Sequence, residues 1–373
     1  MGHTERKRLS LIMLDLLSFV INNKDVSILD LDSADFDILY KVSVDNGLSA
    51  ITAFALKKAG YQNDRFNTAY AKAQRRSVLF DNEYHLLCEK LENAEIRYLP
   101  LKGILLKQIY PSPHLREMAD IDILFDGSPE KMKSVMQQSG YSCIQYGKAN
   151  HDVYQKAHCF CVEMHRSLVD GSLFPTLYEY FEKLSYAYAD NSAFRMQMTK
   201  EQMYLHLIAH AYIHDTLAGT GLRTLLDIHL YLKAYSDRMD MDGIRRELES
   251  VGLSEYESSL RNLSQKLLQY DIMTDKEKML LDSYIFAGKY GNQDRFIHNR
   301  MERIMQDTDK PTKLKYIRKR LSYDQRNIEN SPFYSKHPKL APLLYVTRPI
   351  KAVLTRPKSV FMEIKQLNKR HKT

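Results

Sequence analysis

The repeat of apolar residues changes twice along this chain, and the two changes limit what it can fold into. Residues 1–92 carry apolar side chains at the three-to-four-residue spacing of amphipathic helices. "SADFDILYKVSVDNGLSAITAFALKKAG" divides into two helical segments at Asn46-Gly47, and "TAYAKAQRRSVLFDNEYHLLCEKLENA" makes a long third. Around Glu95 the pattern turns to strand-like alternation. "IRYLPLKG" reads as a strand ending at a glycine, followed by a short helix from about Ile104 to Tyr110 and a proline-rich loop, "PSPHLREMA". Ile121 to Phe125 reads as a second strand, Pro129–Ser139 as a helix, "GYSCIQY" as a strand, and "HDVYQKA" with "HCFCVEMHRSL" as a hairpin pair. From about residue 175 the helical spacing returns. The fold class is therefore α+β, a small mixed β-sheet core between N-terminal helices and a C-terminal helical bundle. The expected divisions are 1–92, 93–174, 175–330 and a basic, proline-containing tail, 331–373.

Within the second strand lies an oddity, Asp120-Ile121-Asp122. Side chains at i and i+2 of a strand share a face, so the two carboxylates project together while Ile121 and Ile123 pack opposite. Like charges held that close repel, and a divalent cation with a taste for oxygen ligands, Mg²⁺, relieves them. The same pattern occurs at Asp30-Leu31-Asp32, Asp35-Phe36-Asp37 and Asp240-Met241-Asp242, but without a strand. The first two flank Ser33, which reads as a helix N-cap, and Asp240-Met241-Asp242 opens a helical run, where acids suit the positive helix end.

A metal grip on a phosphoryl group usually takes a third carboxylate. Glu163 is the candidate: in "FCVEMHRSL", Phe160, Val162 and Met164 form one face, Cys161, Glu163 and His165 the other. Either Glu163 completes the site beside the Asp strand, or it is an edge-strand acid facing water. His165 either orients Glu163, reaches a phosphate, or is a satisfied structural histidine. Further on, His206, His210 and His214 recur every four residues along one helix face, with no Glu in the position a His-Glu-x-x-His zinc motif requires. His210 is read as lining an acceptor cleft. Arg223 and Asp227, also four apart, are expected to form an ion pair supporting that wall.

Taken in order, "LPLKG", "YP", Arg116 four residues before Asp120, "DIDIL" and "VEMH" resemble the group of uncharacterised nucleotidyltransferases within the polymerase-beta-like, minimal nucleotidyltransferase superfamily. The stretch "LIAHAYIHDT…LRTLLDIHLYL" is similar to that group's helical part, and the likeness spans roughly residues 40–235. It implies that 93–174 is the nucleotidyltransferase core and that Asp120, Asp122 and Glu163 hold Mg²⁺, two ions in all. It implies that Gly103 occupies the step where backbone approaches the triphosphate of an NTP. That superfamily has Gly-Ser or Gly-Gly there; this chain has Lys102-Gly103-Ile104, without the hydroxyl. Lys102 or Arg116 then supplies the phosphate contact, unless Arg116 pairs with Glu117 or Asp120 on its loop. The implied reaction moves an NMP from an NTP to an acceptor nucleophile. The competing readings are a metal-dependent glycosyltransferase, which would place a larger nucleotide-binding sheet upstream of its Asp-x-Asp, and a non-catalytic scaffold with a vestigial site.

Composition bears on compartment and partners. With 373 residues and 44% apolar content the chain can build two or three real cores. Cys88, Cys143, Cys159 and Cys161 show no Cys-x-x-Cys spacing and no disulfide framework, which fits a reducing cytoplasm. No uncharged apolar run approaches the roughly 20 residues of a membrane span. The basic-then-apolar N-terminus is broken by Asp15 and reads as an amphipathic helix. The net charge of +8 is uneven: residues 331–373 hold ten Lys or Arg and one acid, Glu363, leaving 44 basic against 45 acidic residues elsewhere. That tail is expected either to touch an anionic membrane surface or nucleic acid, or to be a solvated extension lying on the body.

Overall fold

The computed structural model describes residues 3–23, 33–157, 160–288, 313–322, 332–355 and 357–369, with positions 297, 299, 301 and 328. Asp30-Leu31-Asp32 and Cys159 lie outside them. Two compact units emerge from the contacts: 1–212 with 221–289, and 213–220 with 290–373.

The first unit opens with α1 (His3–Asn22), α2 (Ser33–Asn46), α3 (Ser49–Lys58) and α4 (Asp64–Asn93). Gly47, at φ 64°, takes the left-handed turn that stops α2. The Asn63 side chain caps α4 by accepting from the Arg65 and Phe66 amides. From that start, Phe66, Ala73, Phe80, Tyr84, Leu87 and Leu91 run down one side of the helix as its buried stripe.

The sheet follows: β1 (Arg97–Pro100), the short α5 (Gly103–Leu106), β2 (Ile121–Asp126), α6 (Pro129–Gln138), β3 (Ser142–Gln145), β4 (His151–Lys156) and β5 (Phe160–His165). Its strand order is β1-β2-β5-β4-β3, with β2 and β5 parallel and the other neighbours antiparallel. The β2–β5 crossover runs through α6, β3 and β4. The α6 start is fixed by Ser128, whose side chain accepts from the Lys131 amide, and by Pro129 at the first helical turn.

One face of the sheet is the core. Ile121, Ile123 and Phe125 of β2 and Val162 and Met164 of β5 pack with Phe80, Tyr84 and Leu87 of α4 and Met132 and Met136 of α6. Each such side chain contributes about 2 kcal/mol by leaving water. The alternation that buries them aims Asp122, Glu163 and His165 at the opposite face, as the spacing predicts. A two-stranded piece, β6 (Ala187–Tyr188) and β7 (Met196–Gln197), then runs beside the β1 edge, where the Tyr98 amide donates to the Phe194 carbonyl at 2.9 Å. It covers an otherwise open strand edge, which the sequence reading does not foresee.

Helices resume with α7 (Pro175–Glu182), α8 (Lys200–Leu217), α9 (Leu222–Tyr235), α10 (Met241–Ser250), α11 (Ser254–Gln265) and α12 (Asp275–Ala287). Residues 213–217, the last turn of α8, group with the second unit. The other Asp-x-Asp patterns fall on helix ends and surfaces. Asp240 caps α10 through the Asp242 and Gly243 amides, while Asp35 and Asp37 pair with Arg8 and Arg65.

Elements of the second unit include α13 (Lys313–Leu321), α14 (Pro332–Lys336), a 3₁₀ segment (Pro338–Leu343), α15 (Leu344–Thr355) and α16 (Pro357–Lys369). Among the described residues its apolar interior includes two small clusters, Ile297 with Met301, Tyr316 and Leu367, and Tyr334 with Ala341 and Leu344. No described helix is long and apolar enough to cross a membrane.

Candidate active site

Strand register builds the site. Asp122 of β2 lies directly opposite Glu163 of β5, and Leu124 opposite His165. On the other side of β5, His151 of β4 pairs with His165 and Val153 with Glu163. Asp122, Glu163, His165 and His151 therefore share the face turned away from the core. The His165 Nε2 lies 3.1 Å from Asp122 Oδ1 and 3.6 Å from Glu163 Oε2. The His151 Nε2 lies 3.7 Å from that same Glu163 oxygen, with the two imidazole rings 5.0 Å apart.

Asp120 precedes the strand on a loop that is pinned from three sides. Arg76 donates to the Met118 and Ala119 carbonyls at 2.8 and 3.1 Å, and Arg223 to the Glu117 carbonyl at 3.0 Å. The Glu117 carboxylate accepts from Ser49 Oγ and the Ala50 amide at 2.8 and 2.9 Å, at the positive end of α3.

Lys102 enters from the end of β1. Its Nζ lies 3.1 Å from Asp122 Oδ1 and 3.0 Å from His210 Nε2 on α8. Its backbone sits at φ 38°, a left-handed conformation that a residue with a Cβ adopts at a cost of about 1–3 kcal/mol. The next residue, Gly103, has no room to grow: a Cβ there would come within 3.1 Å of Arg116 Nη1 and 3.2 Å of Met118 Cε.

Arg116 is buried, and its fork is committed. Its Nε and Nη2 both donate to Asp227 at 2.8 Å, and the Tyr110 hydroxyl donates to the same carboxylate at 2.7 Å. Two expectations are corrected here. Arg116 pairs neither with Glu117 nor with Asp120, and Asp227 pairs not with its helical neighbour Arg223 but with Arg116, whose flat guanidinium fits a carboxylate bidentately. That leaves Lys102 as the cation facing the carboxylates.

The electrostatics follow from this crowding. Burial and the charges of Asp122 and Glu163 push the Asp120 carboxyl up to about 6. Burial would raise Asp122 as well, but the Lys102 charge and the His165 hydrogen bond more than offset it and hold the group well below the usual range. Glu163 is likewise lowered against its burial, chiefly by His165. Burial disfavours a charged His165, yet its bonds to Asp122 and Glu163 raise its pKa. His151 is lowered by burial and so is a neutral imidazole near pH 7. His206 goes to about 3 through burial and the nearby Lys102, and neither of its ring nitrogens has a partner among the described residues.

Oxygen donors from Asp120, Asp122 and Glu163 suit Mg²⁺; the mutual repulsion that raises Asp120 is what a cation there would relieve. His151, Glu163 and His165 bring three ligand atoms within 4.8 Å of one another, a mixed nitrogen–oxygen set that also suits Mn²⁺ or Zn²⁺. His151 is the residue that the sequence reading misses. The signal was there: pairing "HDVYQKA" with "HCFCVEMHRSL" as a hairpin allows position 151 to face 165, as the β4–β5 register has it.

A pinned loop, a parallel strand pair carrying carboxylates, and a lysine at the preceding strand end meet on an α+β scaffold. The chain belongs to the uncharacterised nucleotidyltransferase family, whose model matches residues 32–269, more than half of its length. Membership brings nucleotidyl transfer as the general function. No curated protein and no solved structure matches it.

Proposed function

We propose that this protein is a Mg²⁺-dependent nucleotidyltransferase that moves an NMP from an NTP to an acceptor nucleophile, with Asp120, Asp122 and Glu163 as the metal-holding acids. The observation that carries the reading is the β2–β5 register, which sets Asp122 beside Glu163 on the face free of core, with Asp120, one residue before β2, feeling the charge of both. Mg²⁺ held there would neutralise the phosphates and lower the pKa of the attacking hydroxyl.

The chain's own residues do the remainder. Lys102, already aimed at Asp122, turns its ammonium to a phosphate oxygen. His165 holds Asp122 and Glu163 in one orientation. His210 steadies Lys102 from the acceptor side. Arg116 acts at one remove: clamped to Asp227, it backs Gly103 and holds the turn in shape. The acceptor oxygen bonds to the α-phosphorus, the α–β bridging bond breaks, pyrophosphate leaves, and one of the three carboxylates takes the acceptor's proton. Free Cys88, Cys143 and Cys161 accord with a cytoplasmic setting, where NTPs are.

The test is incubation with each NTP, labelled at the α-phosphate, in a cell extract with Mg²⁺, followed by mass spectrometry. Label should enter an acceptor with release of pyrophosphate, and Asp122→Asn should stop it. Transfer of the γ-phosphate, or consumption of a sugar nucleotide instead, would overturn the reading.

A further inference from the structure

The cationic tail is helical, and its outward surface is apolar as well as basic. Of the 21 large apolar side chains that stand exposed among the described residues, ten fall between Phe333 and Ile364. On α15, Leu344 turns inward to Tyr334 and Ala341. Val346, Ile350, Val353 and Leu354 then recur at helical spacing, 59%, 54%, 51% and 76% exposed. On α16, Leu367 joins a buried cluster while Phe361 and Ile364, one turn apart, stand 68% and 53% exposed.

The charges complete the pattern. Lys336, Lys339, Lys351 and Lys365 are exposed. The tail's one acid, Glu363, is buried instead, bonded by the Tyr316 hydroxyl and by Arg320 Nε at 3.0 Å. So the surface offers solvent cations and apolar side chains, aliphatic and aromatic, with the carboxylate withdrawn.

We propose that this surface docks on an anionic lipid bilayer. Helices α15 and α16, 12 and 13 residues long, are too short for a span of about 20 and lie in the interface. The stripe from Val346 to Leu354 enters the acyl boundary, and the lysines meet lipid phosphates, each adding attraction that salt weakens. Nucleic acid fits less well: its phosphates satisfy the lysines and its bases can stack on Phe333, Tyr345 and Phe361, but it gives the larger aliphatic stripe, Val346, Ile350, Val353 and Leu354, nothing to enter. A second copy fits less well too, because it would bring a tail of ten cationic residues and one acid against another.

The experiment is co-sedimentation of the full chain with vesicles of phosphatidylglycerol and phosphatidylcholine, and with phosphatidylcholine alone. Binding should favour the anionic vesicles and fall with salt, but not vanish at about 0.15 M. Ile350→Ser with Leu354→Ser should weaken it about tenfold or more, and Lys351→Glu with Lys365→Glu should do the same at low salt. All four positions are exposed, so circular dichroism and melting should match the parent chain. Equal binding to both vesicle types, or binding indifferent to the serine pair, would overturn the proposal. So would a single-stranded RNA that displaces the vesicles and binds the serine variant undiminished. A solution dimer that the serine pair dissolves would assign the patch to a second copy and likewise overturn it.

Discussion

Asp122 and Asp227 are both 7% exposed, both in the first unit, and are held in opposite ways. Asp227 lies in a closed arrangement: the Arg116 fork covers both oxygens and Tyr110 adds a third bond. Asp122 lies in an open one: Lys102 and His165 both reach Oδ1 at 3.1 Å, and each is itself shared, with His210 and with Glu163. A bidentate pair with a further hydroxyl meets the needs of two buried charges and asks nothing of a ligand. A carboxylate beside other carboxylates, held by a point-charge lysine and an imidazole, is arranged to exchange partners. The difference teaches that burial alone does not mark an active-site acid; the geometry of its donors does.

The sharpest way to break that comparison is to neutralise each acid. Asp122→Asn is expected to cut turnover by about 10²–10³-fold or more while the melting temperature falls less than in Asp227→Asn, because repulsion from Asp120 and Glu163 is relieved as the Lys102 and His165 contacts are lost. Asp227→Asn leaves Arg116 buried with half a partner, and should cost about 3–5 kcal/mol, on the order of 10 °C in melting. If the two variants melt alike, the closed and open arrangements are not distinct. Next in size is Arg116→Lys. Loss of the fork should cost about 1–3 kcal/mol of stability with little change in KM for the NTP. A KM raised many-fold at unchanged melting would instead make Arg116 a phosphate ligand. Smaller again is Lys102→Met, which is expected to raise KM for the NTP about tenfold with the fold retained; an unchanged KM would remove Lys102 from the phosphate contact.

How much of this was legible in the sequence depends on range. Asp122 and Glu163 were legible because a strand's period of two is local and says which residues share a side; Asp120 precedes β2 on its loop, where that period no longer applies. The partner of Arg116 was not legible, because 111 residues separate it from Asp227 and nothing local links a loop arginine to a helix aspartate. The i, i+4 neighbour Arg223 looked sufficient, yet it is spent on the Glu117 carbonyl. His151 falls between the two cases, recoverable from hairpin symmetry but invisible to a search for acids. The helical form of α15 was not legible for another reason: Pro349 and the dense charge make the segment read as an extension, although the helix carries that proline.

The finest test concerns protons on Asp120. Its folded pKa, about 6, lies above the ordinary 3.8, so between those values the folded protein binds more protons than the unfolded chain. Stability from this group is therefore present below about pH 4 and lost as the pH rises through 6. Asp122 and Glu163 have the opposite sign: both are depressed, so their contribution is lost only as the pH falls below the ordinary carboxylate range. His165, raised above 6.5, gives stability that disappears on the alkaline side. In the interval from about pH 4.5 to 6 the histidines lowered by burial, His151 and His206 among them, also change their proton binding on unfolding, so Asp120 is isolated as the difference between the parent chain and Asp120→Asn. Over it, melting of the parent chain should decline relative to Asp120→Asn, which has no proton to release there. Mg²⁺ bound at these acids competes with that proton, so added Mg²⁺ should flatten the decline, and Mg²⁺ affinity should climb as the pH passes 6. Parallel melting profiles for the two proteins would mean that Asp120 does not feel Asp122 and Glu163, and the open arrangement would lose its third acid.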